Sequence, residues 1–162
     1  MQYVLVAQLL ILIGVANGAP LLVTTMLGTR FAQPLDGGAT FPDGRPGFGP
    51  RKTIRGVLVA LLATSLAAPA VGLDWEVGAL VAAGAVVGDL FSSFIKRRLG
   101  LAPGSMALGL DHIPESLFPL LASRLLVPIG WLGIIGGTAI FLVGALVVSR
   151  ILFRLKLRDT PY

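Results

Sequence analysis

The most constraining feature of this sequence is an apolar run over residues 75–95 whose second half is interrupted by the carboxylate of Asp89 and which ends in three consecutive basic residues. About 20 apolar residues suffice for a helix to cross a bilayer. A carboxylate inside such a helix is costly, so it is expected to meet a partner, a cavity or a functional site. As a helix, the run carries four polar residues on one stripe: Asp89, Ser92, Ser93 and Lys96.

Further apolar runs flank this one, and 55% of the residues are hydrophobic whereas 13% are charged. That balance is too apolar for an ordinary soluble domain. We therefore predict an all-α integral membrane protein that forms a single membrane domain over residues 1–162. The predicted transmembrane helices number five and cover about residues 3–27, 54–71, 75–95, 108–128 and 131–153, with loops at 28–53 and 96–107.

The basic residues predict the orientation of these helices. Given five spans, 12 of the 13 Lys and Arg residues lie on one side, and Arg124 is the exception. The positive-inside rule makes that side the cytoplasm, with the N-terminus outside, the C-terminus inside and the protein in the cell membrane. The net charge of +5 does not indicate a nucleic-acid partner, because no such binding motif is visible. The absence of cysteine excludes disulfides and thiolate metal sites.

The long loop 28–53 is rich in glycine and proline and leads into Arg51-Lys52-Thr53-Ile54-Arg55. Glycines beside fixed cations suit phosphate binding, although basic residues at a membrane edge more often serve as topology signals. The first span contains Asn17 and Pro20, and the proline predicts a kink. Two roles remain open for Asn17, namely a contact between helices and a position in a cavity wall.

Three carboxylates are expected near the cytoplasmic face: Asp89, Asp111 and Glu115. Mg²⁺ typically takes one or two carboxylates and completes its shell with water and phosphate oxygens, so a pair of Asp residues with nearby hydroxyls and cations suits phosphoryl or nucleotidyl transfer. A purely structural alternative pairs Asp89 with Lys52 or Arg55. We expect Arg98 to be a lipid-headgroup anchor and His112 to be a polar neighbour of the site, not a metal ligand.

In order and spacing, several short motifs together resemble the CDP-archaeol synthases, small CTP-dependent lipid cytidylyltransferases distantly related to phosphatidate cytidylyltransferase. The resemblance covers nearly the whole chain. Its carriers are Ala16-Asn17-Gly18-Ala19-Pro20, Leu35-Asp36-Gly37-Gly38, Asp43-Gly44-Arg45-Pro46-Gly47-Phe48-Gly49, Lys52-Thr53-Ile54-Arg55-Gly56, residues 88–100 and Asp111.

This resemblance implies five transmembrane helices and a cytoplasmic, metal-dependent site in which CTP and a lipid phosphate give a CDP-lipid and pyrophosphate. It implies that Asp89 binds Mg²⁺ with Asp111 as its partner, and that Lys96 belongs to the catalytic set. The implied substrate-binding residues are Asn17 and Pro20 in the pocket wall, Asp43 and Arg45 in the loop over the nucleotide, Lys52, Thr53, Arg55 and Arg97 at the triphosphate, and Ser92 on the stripe of Asp89.

Two departures from the family pattern concern details of the site. Arg51 stands where His is expected, and Asp111-His112, with Glu115 following, stands where Asp-Gln is expected. The lipid stays open, since an archaeal ether lipid, a diacylglycerol phosphate and a prenyl phosphate share one headgroup. Another phospholipid-head transferase and a small transporter are the alternative functions. The glycines of the fifth span permit a homodimer.

Overall fold

The computed structural model describes residues 2–103, 105, 107 and 109–154, and within these residues every regular element is helical. Two isolated β-bridges, Pro34 with Thr53 and Thr40 with Pro46, fasten the long loop to itself. The helices are α1 (Gln2–Leu27), α2 (Ile54–Ala67), α3 (Trp75–Arg98), α4 (His112–Ser123) and α5 (Trp131–Arg154), and a 3₁₀ turn (Pro69–Val71) follows α2.

Four segments are long and apolar enough to cross a membrane: Gln2–Leu27, Ile54–Val71, Trp75–Arg98 and Trp131–Ile151. The helix α4 has 12 residues, and at about 1.5 Å per residue it is far shorter than a bilayer core of about 30 Å. Within the fourth expected span, residues 108–128, the described residues therefore form a short helix followed by turns. The count of five crossings stays a prediction.

Glycines on α3 let this helix approach its neighbours closely. A Cβ at Gly78 would lie 2.5 Å from the Thr64 carbonyl oxygen of α2. On another face, a Cβ at Gly84 would lie 2.6 Å from Pro119 Cα, and one at Gly88 would lie 2.2 Å from the Pro114 carbonyl oxygen, both in α4. Small residues that allow backbones to touch are a general device of helix packing in membranes. The two glycines facing α4 thus fix its depth along α3.

The first turns of α4 lie well inside the bundle, not at its end. Gly88 precedes the last residue of α3, Arg98, by ten positions, which corresponds to about 15 Å of helix. Because Pro114 packs on Gly88, the segment between α3 and α4 must fold back along the last turns of α3. This return brings the acidic start of α4 towards the middle of α3, where Asp89 lies.

The direction in which the helices run decides at which end of the bundle the basic residues lie. Gln2 of α1 lies against Gly130 and Gly133 at the start of α5, so these two helices run parallel. Their C-terminal ends therefore lie at the end of the bundle that carries the long loop, while Arg124 stacks on Trp131 at the other end. Lys156 and Arg158, two of the 12 basic residues expected on the cytoplasmic side, lie outside the described residues. The buried core between the ends includes Leu9, Leu12, Ile13, Val81, Leu120 and Ile134.

Candidate active site

A cavity of about 770 Å³ opens in the loop end of the bundle, between α1, α2 and α3. Its walls include apolar residues of all three helices, and its polar groups come from α1, from the long loop and the start of α2, from α3 and from the start of α4. Six residues that the sequence assigns to a site line it: Asn17, Pro20, Lys52, Thr53, Arg55 and Asp89. The fold therefore gathers these residues from three separate parts of the chain around one space, and Glu115 of α4 adds a fourth.

An ion pair between Lys52 and Asp89 crosses the cavity wall. The Lys52 ammonium lies 2.6 Å from each carboxylate oxygen of Asp89. The two side chains keep 26% and 31% of their surface exposed, so both remain accessible from the cavity. The structural alternative considered for Asp89, a partner in a neighbouring element, is thus present. It coexists with a position in the cavity that a substrate can reach.

Glu115 is the acidic neighbour that sequence reasoning left without a role. Its side chain lies within hydrogen-bond range of the Asp89 carboxylate, and Lys52 and Asp111 are close enough to interact with it electrostatically. It also lines the cavity. The sequence places Glu115 one helical turn after Asp111 and near the same face as Asp89, but it does not show that Glu115, and not Asp111, lines the cavity.

The α1 wall of the cavity contains one unsatisfied polar group. The side-chain nitrogen of Asn17 is buried and has no hydrogen-bond partner among the described residues. A buried donor without a partner costs free energy unless a ligand or water satisfies it. Asn17 therefore fits a cavity wall better than a contact between helices. The helix continues through Pro20, whose carbonyl oxygen accepts a hydrogen bond from Thr24 at 2.8 Å.

Thr53 and Arg55 make structural contacts at the cavity mouth. The Thr53 hydroxyl caps α2 by accepting a hydrogen bond from the Gly56 N–H at 3.1 Å. The Arg55 guanidinium donates to the carbonyl oxygens of Gly28, at 3.1 Å, and Arg30. These bonds tie the end of α1 to the start of α2. They also hold a cation at the cavity wall.

A second, smaller cleft of about 50 Å³ adjoins the cavity. Four cations line it, Arg51, Lys52, Lys96 and Arg97, and two of them, Arg51 and Lys52, also line the large cavity. Arg97 is only 4% exposed, yet two of its guanidinium nitrogens have no hydrogen-bond partner in the described residues. A buried cation with unused donors is suited to an anion. Arg51, the departure from the family pattern, is thus an additional cation between the two spaces.

Lys96 and Asp111 form a second ion pair, more buried than the first. The Lys96 ammonium lies 2.5 Å from Asp111 Oδ1, and the two side chains are 11% and 12% exposed. The ammonium also donates to the Ser105 carbonyl oxygen at 3.1 Å, and Asp111 Oδ2 accepts from the Ala107 N–H at 2.9 Å. This pair fastens the returning segment to α3.

The donor set can be compared with the needs of Mg²⁺. In the described part of the chain, no three or more His, Cys, Asp or Glu side chains are grouped so that they could hold a metal ion by themselves. Mg²⁺ does not require one, since it binds through one or two carboxylates together with water and phosphate oxygens. Asp89, with Glu115 beside it, meets that need at the cavity. Asp111 would have to exchange its contact with Lys96 to serve as the partner ligand.

Four expected site residues lie outside both spaces, and Asp111, paired with Lys96, is one of them. Ser92 is fully buried, and its hydroxyl donates to the Asp89 backbone carbonyl at 3.0 Å. Asp43 and Arg45 instead contact the end of α3: Asp43 pairs with Arg98 at 2.8 Å, and Arg45 donates to the Arg98 carbonyl oxygen at 2.5 Å. They therefore order the loop on α3. The expectation that Arg98 anchors lipid headgroups is wrong, because its guanidinium is committed to the loop.

Comparisons with known proteins place this architecture. The family model for CarS-like proteins (CDP-archaeol synthase) matches residues 70–162. The CDP-archaeol synthase of Sulfurisphaera tokodaii is 34% identical over 157 residues, which cover 91% of this chain and 89% of that protein.

The chain belongs to the CDP-archaeol synthase family.

Another relative and a solved structure show how far the similarity extends along the chain. The CDP-archaeol synthase of Pyrococcus furiosus is 46% identical over 89 residues, covering 49% of this chain and 53% of that protein, so here the match spans about half of the relative. A solved structure of an intramembrane enzyme for archaeal membrane lipid biosynthesis matches with a TM-score of 0.74 and 32% identity, over 88% of this chain and 90% of that one. The likeness to this family predicted from the motifs is thereby confirmed.

Proposed function

We propose that this protein transfers the cytidylyl group of CTP to a lipid phosphate, giving a CDP-lipid and pyrophosphate. The observation that carries the proposal is the meeting of Lys52 and Asp89 at a large cavity with apolar walls, next to a cleft lined with cations. Membership of the CDP-archaeol synthase family supports it. The apolar wall suits a lipid, and the cations suit phosphates.

In the proposed reaction an oxygen of the lipid phosphate attacks the α-phosphorus of CTP. The new bond joins that oxygen to the α-phosphorus, and the bond from the α-phosphorus to the oxygen bridging it to the β-phosphorus breaks. A phosphomonoester has a second pKa of about 6, so it is already an anionic nucleophile near neutral pH and needs no general base. Lys52, Arg55 and Arg51 neutralise the triphosphate. Lys96 and Arg97 hold the leaving pyrophosphate in the cleft.

In this proposal Asp89 would hold Mg²⁺, with Asp111 as its predicted partner and Glu115 as a neighbouring oxygen donor. When bound, the ion neutralises phosphate charge. Lys52 then exchanges the Asp89 carboxylate for a phosphate oxygen, because an ammonium group can move on its flexible stem. Asn17 donates its unsatisfied amide N–H to a bound ligand.

The proposed lipid is 2,3-bis-O-geranylgeranylglycerol phosphate or a close ether-lipid analogue. The relatives are named CDP-archaeol synthases, and an archaeal ether lipid is the substrate class that name points to. A phosphatidic-acid-like lipid offers the same headgroup and is the competing substrate. We place the enzyme in the cell membrane with its site towards the cytoplasm, where CTP is available. A homodimer stays a prediction.

The decisive experiment follows CTP turnover by the purified protein with a panel of lipid phosphates. We expect CDP-lipid and pyrophosphate in equal amounts, with the ether lipid preferred. Replacing Asp89 by Asn is expected to lower kcat by about 100-fold or more, the scale on which one charge-stabilising group contributes. Arg124→Gln, at the other end of the bundle, is the matched control. If no lipid phosphate is converted, or Asp89→Asn keeps full activity, the proposal is wrong.

The alternative functions have less support. The cavity lining described here belongs to the loop-end halves of α1 and α2 and to residues 85–90 of α3, whereas a transporter needs a path to both ends. A phosphatidyltransferase of the CDP-alcohol class carries several Asp residues along consecutive turns of a helix, and α3 has only Asp89. Release of pyrophosphate from CTP distinguishes the cytidylyltransferase from both.

A further inference from the structure

The end of α3 and the long loop are joined by one arginine. Arg98 Nη1 lies 2.8 Å from each carboxylate oxygen of Asp43. Arg98 Nη2 donates to the carbonyl oxygens of Pro46, at 2.7 Å, and Arg45, at 3.2 Å. Charge-assisted hydrogen bonds from a planar guanidinium define direction as well as distance. The loop is therefore held at a fixed place on the helix.

Arg45 returns the contact from the loop to the helix. Its Nη1 donates to the backbone carbonyl oxygens of Arg98, at 2.5 Å, and Arg97, at 3.4 Å. The last carbonyls of a helix lack partners within the helix, and the C-terminus attracts positive charge. Arg45 thus caps α3 while Arg98 grips the loop. We call Asp43, Arg45 and Arg98 the loop clamp.

Two aromatic rings support the clamp. The Arg98 guanidinium carbon lies 4.7 Å from the centre of the Phe41 ring and 5.2 Å from that of Phe94. The rings themselves meet edge to face with their centres 5.5 Å apart. One ring comes from the loop and the other from α3, so the cation sits between apolar groups of both partners. Cation–π contacts of this kind restrict the guanidinium plane.

The clamp lies immediately before the part of the loop that covers the cleft. Phe48 lines the cleft, and a Cβ on Gly49 would lie 3.8 Å from Arg97 Nη1. Gly49 has φ +96°, a conformation that favours glycine, so the backbone turns over Arg97 at this point. Arg51 and Lys52 follow directly and line both spaces. The position of these cations thus depends on where the clamp holds the loop.

We propose that Arg98 is a positioning residue for the nucleotide, which acts through Asp43 to hold residues 48–52 over the cationic cleft. This inference rests on the proposed function. It adds Arg98 as a residue that supports CTP binding without touching either substrate. Loosening the clamp displaces Arg51 and Lys52 and leaves Asp89 in place on its helix. The loss therefore falls on CTP binding more than on the chemical step.

The test combines kinetics with a probe of the loop that needs no activity. The chain has no cysteine, so Ala39→Cys carries a single nitroxide label on the exposed loop. We expect Arg98→Gln and Asp43→Asn to mobilise the label and to raise the KM for CTP about tenfold, with kcat within about twofold. Arg98→Lys keeps the charge but loses the planar, forked guanidinium. Its label mobility and its KM for CTP are expected to lie between those of Arg98→Gln and those of the protein with Arg98 intact. Arg124→Gln changes neither readout.

The outcomes separate this inference from the proposed function. A double variant, Asp43→Arg with Arg98→Asp, restores a pair of opposite charges. It is expected to lower the KM for CTP part of the way back and to make the label partly immobile again. If the label stays immobile in Asp43→Asn, or if kcat falls while KM is unchanged, the positioning role is wrong. If the protein transfers no cytidylyl group, the proposed function fails, while the label still decides whether the clamp holds the loop.

Discussion

Lys52 and Asp89, 37 residues apart in sequence, meet with the ammonium 2.6 Å from both carboxylate oxygens. The contact joins the end of the long loop to the middle of α3 at the cavity wall. A charge within a membrane protein needs such a partner. A site for phosphates needs the same cation to be reachable from the cavity, and the partial exposure of both side chains allows this.

A double-variant series separates the two roles of Asp89. Lys52→Met leaves a partly exposed carboxylate without its partner, and we expect it to lower the free energy of unfolding by about 1 kcal/mol. Lys52→Met combined with Asp89→Asn removes both charges, and we expect it to regain that stability without regaining cytidylyl transfer. Thermal unfolding in detergent and CTP turnover measure the two effects. Recovery of activity in the double variant would leave Asp89 with a structural role alone.

The close approach of α3 and α4 predicts a strong effect of one methyl group. Gly88→Ala places a Cβ 2.2 Å from the Pro114 carbonyl oxygen, and we expect a destabilisation of about 1–3 kcal/mol, because backbone must shift. Gly136→Ala on α5 is the matched control, since a Cβ there meets nothing within 4 Å. The melting temperatures of both variants in the same detergent test this. Equal melting temperatures would contradict the packing described.

Asp36 predicts a pH dependence of the loop. The Phe48 N–H donates a hydrogen bond to the Asp36 carboxylate at 3.0 Å and lowers its pKa below the ordinary value of 3.8. Burial raises this pKa, whereas hydrogen bonds from the N–H groups of Gly38 and Gly49 lower it further. Because folding lowers this pKa, the ionised carboxylate stabilises the folded loop above about pH 4. The stabilisation is lost as the pH falls through the pKa that Asp36 has in the folded protein.

A label at Ala39→Cys is therefore expected to stay immobile from about pH 7 to pH 5 and to become mobile below about pH 4. Asp36→Asn keeps the side-chain shape and removes the titration, so much of the pH dependence should vanish with it. Part of the pH dependence is expected to remain because folding also lowers the pKa of Asp43. Desolvation raises that pKa, but the hydrogen bond from the Arg45 N–H and the positive charge of Arg98 outweigh this effect. A label whose mobility rises on going from pH 5 to pH 7 would contradict the sign.

The predicted orientation can be tested with single cysteines. Ala39 lies in the long loop and Glu76 in the first turn of α3 at the other end of the bundle, and both are exposed. A membrane-impermeant maleimide is expected to label Glu76→Cys from outside the cell and Ala39→Cys only in inverted vesicles. Labelling of both from one side would overturn the arrangement of the spans.

The sequence by itself determined most of the long helices. Apolar length predicted the spans at 3–27, 75–95 and 131–153, and the structure has helices over Gln2–Leu27, Trp75–Arg98 and Trp131–Arg154. Hydropathy works here because each backbone polar group in a membrane must be satisfied within its own helix. The motifs likewise identified the family and six residues of the cavity wall, because the order and spacing of short motifs can be read directly from the sequence.

Only the tertiary structure decided where the polar residues act. The glycines at 84 and 88 set the depth of α4, and this depth brings Glu115 to Asp89. The same packing shows that Arg98 holds the loop where headgroup binding was expected. Periodicity records which face of a helix is apolar. It carries no information on which distant backbone approaches a glycine, and that approach places each charge with its partner.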